Sequence, residues 1–319
     1  MNGRLSPFSC DVMNKNLELY IQFLNWLRIG HSLDTVSSYK WGLKVYLDWC
    51  DGVEKDILKF KENDFVDYAS YLRDDRGVKR STSGHYICAL RTFWRWLYRQ
   101  ELVKFDDSYI PVPKDNDKEH YPYVVKQELD LILNYFDEFY SEQLRDKTII
   151  AFLAATGLRL GEMLAMEIGQ IDLDDKKATA RTFKRTNHFR EIYWDDETNR
   201  LLKNWLEVRE KYMEKANFQS NALFISLART KIGKPSCKSN VQKMIRKVRK
   251  NLGIKKKITA HSFRHGFGHK AVENQIHPRH LQIMLGHAKL NTTMFYMGVS
   301  NKEVEEIYRN KMESSLTRP

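Results

Sequence analysis

A chain of 319 residues has room for two domains, each with its own core. Its 53 lysines and arginines against 41 acidic residues, a formal net charge of +12, point to a polyanionic partner, nucleic acid first and an anionic membrane surface second. With 42% hydrophobic residues and no apolar run near the roughly 20 residues that span a bilayer, it reads as a folded, soluble, intracellular protein.

Cys10, Cys50, Cys88 and Cys237 are scattered and form no C-x-x-C pair. That suits reduced thiols in a cytoplasm and argues against a zinc ribbon or a disulfide scaffold. The N-terminus lacks a signal-peptide core.

The first ten residues read as irregular. Leu17, Tyr20, Ile21, Leu24 and Leu27 then fall at helical spacing and predict a first amphipathic helix. Gly30-His31-Ser32 breaks it, and Ser32 caps a second helix through Cys50 that buries Val36, Tyr39, Leu43, Tyr46 and Leu47. A third, short helix has Asn63 or Asp64 as its cap and Phe65, Tyr68, Ala69 and Leu72 inward. A fourth runs from about Thr82 to Glu101 and buries Ile87, Leu90, Trp94 and Leu97. Four helices on short connections make a small bundle. The fourth carries a second stripe, Arg91, Arg95 and Arg99, which reads either as a solvated face or as cations following a phosphate backbone.

From Val103 to Tyr123 prolines and mixed charge without periodicity predict a linker, with domains at 1–104 and 123–319 and the linker at 105–122. Leu129, Ile132, Leu133 and Phe136 begin a second helical core, and an apolar helix over Thr148–Ala155 leads into Thr156-Gly157-Leu158-Arg159. Residues 178–183 and 191–194 predict a β-hairpin whose basic tip is Lys184–Arg190. Helix returns from Asp195 to about Ala216, and Leu223-Phe224-Ile225 is a short strand or turn. Pro235-Ser236 opens a helix burying Val241, Ile245, Val248 and Leu252; Lys243, Arg246, Lys247 and Lys250 on its other side favour a DNA-facing surface over plain solubility.

The densest chemistry lies between Thr259 and Tyr296. Thr259 is a good N-cap, so His261 and Arg264 fall three residues apart on one face of a helix start, where free N–H groups and a guanidinium suit phosphate oxygens. Leu285-Gly286-His287 reads as a helix end with glycine at the cap, and Thr292-Thr293 restarts a short helix presenting Tyr296. Arg159 stands at a helix start three residues before Glu162, which can pair with it and orient it. His265 reads as a buried structural histidine. His261, His265 and His269 are spaced as a metal-binding face, but Arg264 shares that face and no carboxylate or cysteine completes the set. Gly233-Lys234 lacks the upstream glycine of a phosphate loop.

Thr156-Gly157-Leu158-Arg159-Leu160-Gly161-Glu162, His261-Ser262-Phe263-Arg264-His265, Leu285-Gly286-His287 and Thr292-Thr293-Met294-Phe295-Tyr296 together resemble the tyrosine recombinase (phage-integrase and Xer) family. That family's motifs read T-G-L-R-x-x-E, H-x-L-R-H, L-G-H and T-T-x-x-Y; Phe263 stands for the usual leucine, and similar organisation covers nearly the whole chain. The resemblance implies a mainly α fold: an N-terminal four-helix core-binding domain, and an α-rich catalytic domain with a small antiparallel sheet. It implies cutting and rejoining of duplex DNA at specific sites through a 3′-phosphotyrosyl intermediate and a Holliday junction. Tyr296 is then the nucleophile, Arg159, Arg264 and His287 the phosphate-binding groups, and His261 an aid to proton transfer or phosphate positioning.

A lysine on the hairpin protonates the leaving oxygen in that family. Here the common Gly-Lys-Gly tip is missing and Lys184-Arg185 stands in its place; Lys184 is the choice, with Arg185 reaching DNA beside it. The resemblance also implies no cofactor and no metal, a homotetramer on two DNA sites, a C-terminal tail docking on a neighbour, and work at the nucleoid of a prokaryotic or phage-infected cell. It favours DNA contact for the arginine stripe of the fourth helix. Two other classes stand against it: a type IB topoisomerase-like enzyme, and a non-catalytic DNA-binding protein of the same fold.

Overall fold

The computed structural model describes residues 7–110, 112, 122–182, 189–216 and 219–287. The chain divides into two compact units, residues 1–119 and 120–319. No helix among the described residues is long and apolar enough to cross a membrane.

The first unit is a bundle of α1 (Pro7–Gly30), α2 (Leu33–Gly52), α3 (Glu62–Ser70) and α4 (Arg80–Arg99). Residues 7–10, in the stretch expected to be irregular, belong to α1. Its inward face is Leu19, Phe23, Leu24 and Leu27, while Leu17 and Ile21, expected inside, are exposed. Phe23 sets that rotation by meeting Phe93 of α4 edge to face at 5.0 Å. Ser32 caps α2 as expected, its side chain accepting from the Thr35 N–H. Gly42 lets α2 approach α4, since a Cβ there would lie 3.2 Å from Ala89. α3 starts at Glu62, earlier than expected, and Asp64 is not its cap: its carboxylate reaches back to the Lys61 N–H at 2.8 Å.

Trp94 lies at the centre of this core, 4.9 Å from Phe65 and nearly perpendicular to it. Its indole N–H donates to the Phe105 carbonyl at 3.0 Å, and Val103 and Ile110 are buried in the same cluster. The segment through Ile110, expected as the first part of the linker, therefore belongs to the bundle. An indole N–H buried without this carbonyl would cost ~1–3 kcal/mol.

The second unit runs through α5 (Lys126–Asn134), α6 (Ser141–Thr156), α7 (Leu160–Leu164), α8 (Asp196–Ala216), α9 (Lys238–Asn251), α10 (Ala260–Glu273) and α11 (Pro278–Leu285). α6 is the central helix, buried on several sides and packed by both α8 and α10. Phe152, Trp205, Phe224 and Phe263 fill the core around it. Three antiparallel strands lie between α7 and α8, in the order β1 (Ile171–Asp172), β2 (Lys177–Arg181) and β3 (Phe189–Tyr193). The two-residue β1 carries too little pattern to be seen in sequence. Ala178 pairs with Ile192 and Ala180 with Arg190, and all four face inward. Arg190, expected in the hairpin's basic tip, is thus an inward residue of β3. Residues 223–225 make no regular strand, although Ile225 bridges Pro235. α9 opens at Lys238 after Cys237, slightly later than expected, with Val241, Ile245 and Val248 buried and Leu252 only half-buried.

Candidate active site

The site is assembled on three helix ends of the second unit. α6 stops at Gly157, whose φ of 61° lies in the left-handed region and whose N–H closes onto Leu153 O at 3.1 Å. The position admits only glycine: a Cβ would sit 2.8 Å from the Phe267 ring. The chain then turns through the buried Leu158 and places Arg159 at the N-cap of α7. Glu162 binds this arginine twice, Oε2 accepting from its backbone N–H at 3.1 Å and Oε1 from Nη1 at 2.9 Å. Burial works to raise the Glu162 carboxyl, but hydrogen bonds and charge from Arg190 and Arg159 outweigh it and hold the group below its usual range. A carboxylate with no exposed side-chain surface is therefore ionised between two guanidiniums.

Arg264 enters from α10. Thr259 precedes that helix, and the Ser262 hydroxyl accepts the Thr259 N–H at 3.1 Å. The Arg264 guanidinium is buried and donates to Gly157 O and Leu285 O, each at 2.6 Å. It joins the C-terminal ends of α6 and α11, both of which present carbonyls left over at a helix terminus. His261, three residues earlier, is exposed, and His265 is buried as expected.

α11 ends at Gly286, again left-handed, with φ 62°. His287 follows: its N–H donates to Gln282 O and its carbonyl accepts from Gln282 Nε2, both at 3.0 Å. The ring is buried, and burial, then the charges of Arg264, Arg159, Arg190 and His261, push its pKa down to about 3. His265 is pushed down to about 4 by burial and by His261, Arg264 and His269. Both imidazoles are neutral at physiological pH, so His287 can offer one N–H as a hydrogen-bond donor without adding charge.

Arg159, Arg264 and His287, far apart in sequence, thus share one electrostatic neighbourhood with Glu162. Excess positive charge around one buried carboxylate suits a bound oxyanion and the charge that develops on a phosphoryl group under attack. The histidine face of α10 is arranged differently from a ligand set. His261 and His265 stand perpendicular at 4.9 Å, and His269 stacks on Tyr123 at 3.8 Å. Among the described residues no three His, Cys, Asp or Glu side chains could hold a metal ion.

One site residue is not apparent from the sequence. Arg190 is buried, donating through Nη2 to Glu162 Oε2 at 2.8 Å, through Nη1 to Thr182 Oγ1 at 2.7 Å and through Nε to Met284 O at 2.9 Å. Alternation through Ile192 is the signal that finds it, since inward positions at 192 and 190 differ by two. Among the other expected residues, Lys243, Arg246, Lys247 and Lys250 line the exposed side of α9. Arg91 and Arg95 both pair with the buried Asp107, at 2.9 and 2.7 Å, and Arg99 is exposed at the end of α4. Arg95 and then Arg91 hold the Asp107 carboxyl below its usual range against burial. Lys184, Arg185 and Tyr296 lie outside the described residues, as does the tail.

Comparison with known proteins agrees with this architecture. Residues 122–303 match the model of the phage integrase family, and residues 17–101 match that of the phage integrase N-terminal SAM-like domain. The chain is similar to tyrosine recombinase XerC of Leptospira interrogans, 27% identical over 307 residues that cover 95% of this chain and 94% of the relative. It is also similar to tyrosine recombinase XerD of Staphylococcus saprophyticus, 28% identical over 305 residues, with 93% and 98% covered. Its fold is similar to that of the Tn1549 transposon integrase solved with transposon right end DNA, at TM-score 0.73 and 16% identity, covering 93% of this chain and 99% of that one. The XerH recombinase solved with a palindromic difH substrate gives TM-score 0.70 at 19% identity, with 88% and 81% covered. With one family model matching more than half its length and a second matching the bundle, the chain belongs to the phage integrase family and is a tyrosine site-specific recombinase.

Proposed function

We propose that Tyr296 cuts one DNA strand at a specific site within the cluster of Arg159, Arg264 and His287. The phenol of Tyr296 gives up its proton to solvent or to His261 as its oxygen attacks the phosphorus, a P–O bond forms to Tyr296, and the bond to the 5′ oxygen breaks. Lys184 gives the leaving oxygen its proton, producing a 5′ hydroxyl and a 3′-phosphotyrosyl link. Arg159 and Arg264 bear on the non-bridging oxygens, His287 donates one N–H, and His261 assists proton transfer or phosphate positioning. A phenol of pKa near ~10 needs such cations to act as a nucleophile at neutral pH. The phosphodiester energy is kept in the covalent link, so rejoining requires neither ATP nor a divalent cation.

Attack by a 5′ hydroxyl from a second duplex then breaks the bond from phosphorus to Tyr296, which takes back a proton, and yields a Holliday junction, worked by four protomers on two sites. The tail after Ser300 docks on a neighbouring protomer in that assembly. The exposed cations of α9, with Arg185 and the arginines of α4, follow the phosphate backbone, and the enzyme works on DNA in the cytoplasm, at the nucleoid.

One observation carries the reading: the buried His287 sits beside the charges of Arg159 and Arg264, brought together from three helix ends. The test is the Tyr296→Phe variant on a nicked suicide duplex, in EDTA and without ATP. Wild type should form a covalent protein–DNA adduct, and the variant should bind equally well and form none. Tyr193→Phe should keep the adduct, since that phenol is spent on Glu191 at 2.6 Å. Adduct from Tyr296→Phe, or wild-type adduct only with added metal, would overturn the mechanism.

A further inference from the structure

Glu162 orients Arg159, Thr182 stands two residues before Lys184, and Met284 stands three before His287. Arg190 binds all three segments at once, through three different nitrogens of one guanidinium. We infer that Arg190 is a positioning residue for strand cleavage, setting the register of the three segments that carry Arg159, Lys184 and His287. This rests on the roles given to those residues above.

The geometry supports more than packing. Arginine and carboxylate often pair as a two-point fork that takes both carboxylate oxygens. Here Glu162 Oε2 is taken by Arg190 Nη2 and by the Arg159 backbone N–H. The Arg159 side chain donates to Oε1 through Nη1, so the carboxylate steers this guanidinium from one corner and does not engage it as a fork. The second corner can then turn toward a phosphate oxygen. Without Arg190, Oε2 would be open to Arg159, and the fork would draw the guanidinium away from the phosphate.

The other two bonds tie further segments to the same guanidinium. The Nη1 bond to Thr182 fixes the residue that follows β2, two before Lys184 in sequence, and the Nε bond to Met284 O fixes the last turn of α11. Ala180, directly across the sheet from Arg190, supplies the space that a larger side chain would fill. Gly286 supplies the rest, because a Cβ there would lie 2.8 Å from Arg190 Nη1. Nε, Nη1 and Nη2 each donate to a protein oxygen, so Arg190 acts through those partners and not on a DNA phosphate.

Arg190→Lys keeps the charge, but its single ammonium nitrogen cannot occupy the three positions from which Nε, Nη1 and Nη2 donate. On the full-length protein with a nicked suicide duplex, its single-turnover cleavage rate should fall about 10- to 100-fold, the usual scale for groups that orient catalytic residues. Burst amplitude, DNA affinity and the salt dependence of binding should stay at wild-type values. A residue touching phosphate would instead lower the salt slope by about 1. A purely structural residue would lower the amplitude, through an unfolded fraction, and leave the rate of the remainder unchanged.

Thr182→Val, nearly the same shape without the hydroxyl, should also slow cleavage at full amplitude, and it carries the test should Arg190→Lys fail to fold. A wild-type rate from a folded Arg190→Lys protein overturns the inference, as does a loss of amplitude alone. If Arg190→Lys does not fold, a wild-type rate from Thr182→Val overturns it. Failure of the wild type to form adduct would instead remove the cleavage mechanism on which the inference rests.

Discussion

Gly286 and Arg190 approach so closely that a Cβ on the glycine would lie 2.8 Å from the guanidinium Nη1. The glycine also has φ 62°, where an L side chain is strained. The cap that turns the chain from α11 into His287 and the arginine that ties β3 to Glu162 are therefore one packed unit. Gly286→Ala should destabilise the second unit by about 1–3 kcal/mol, the cost of a strained backbone with a clash, and slow strand cleavage with it. Gly169→Ala, where a Cβ meets nothing within 4 Å, should leave both near wild type. Thermal melts and adduct rates on the two variants check this, and equal behaviour would contradict it.

The general acid can be separated from the phosphate-binding groups. Lys184→Ala should slow cleavage of an ordinary strand yet largely spare one whose leaving group is a 5′ thiol, which departs without a proton. Arg264→Ala should lose both, because the phosphate loses a charge partner whatever leaves. Equal losses for Lys184→Ala on the two substrates would move the role to Arg185 or His261.

Salt tests the arginine stripe of α4. Arg91 and Arg95 are already committed to Asp107, so exchanging Arg91, Arg95 and Arg99 together for alanine should lower the melting temperature of the bundle. It should also flatten the dependence of DNA affinity on salt, by roughly 0.9 for each phosphate that is no longer neutralised. Specific and random duplexes should weaken alike. A lower melting temperature with an unchanged slope would mean that the stripe only braces the bundle through Asp107.

The two buried histidines set a pH dependence of stability. His287 and His265 lie near 3 and 4 in the folded protein, against an ordinary 6.5. The unfolded chain therefore takes up protons first, and stability is lost as pH falls below about 6.5, by up to about 1.4 kcal/mol per pH unit for each group. Glu162 acts in the same direction but lower, below the ordinary 4.5 of its carboxyl. Between pH 6.5 and 5 the wild-type melting temperature should drop, and His287→Gln should drop less. Parallel curves for the two proteins would mean that burial and the nearby cations do not depress the His287 ring.

Much of the fold and site is legible because helical periodicity and motif strings survive without tertiary context. Val36, Leu43, Tyr46, Phe65, Trp94 and Leu97 all lie in the core where spacing puts them. Leu17 and Ile21 do not, because two apolar stripes compete on α1 and the ring of Phe23 decides between them. Asp64 is ambiguous in sequence because an acidic residue at a helix start serves equally well at the N-cap or at N3. Arg190 reads by its charge as part of a basic tip, whereas its place in the alternation of β3 is the better guide. The motif around Arg264 marks it as a candidate phosphate ligand, but its bond to Gly157, 107 residues away, has no local signature.

Whether Tyr296 is the residue joined to DNA is decided most directly by mapping the adduct. Wild-type protein is reacted with a nicked suicide duplex in EDTA and digested with protease, and the DNA-bearing peptide is sequenced by mass spectrometry. One modified peptide is expected, with the strand's 3′ phosphate esterified to the phenol of Tyr296. A link to any other residue, or at the 5′ side of the break, would contradict the mechanism.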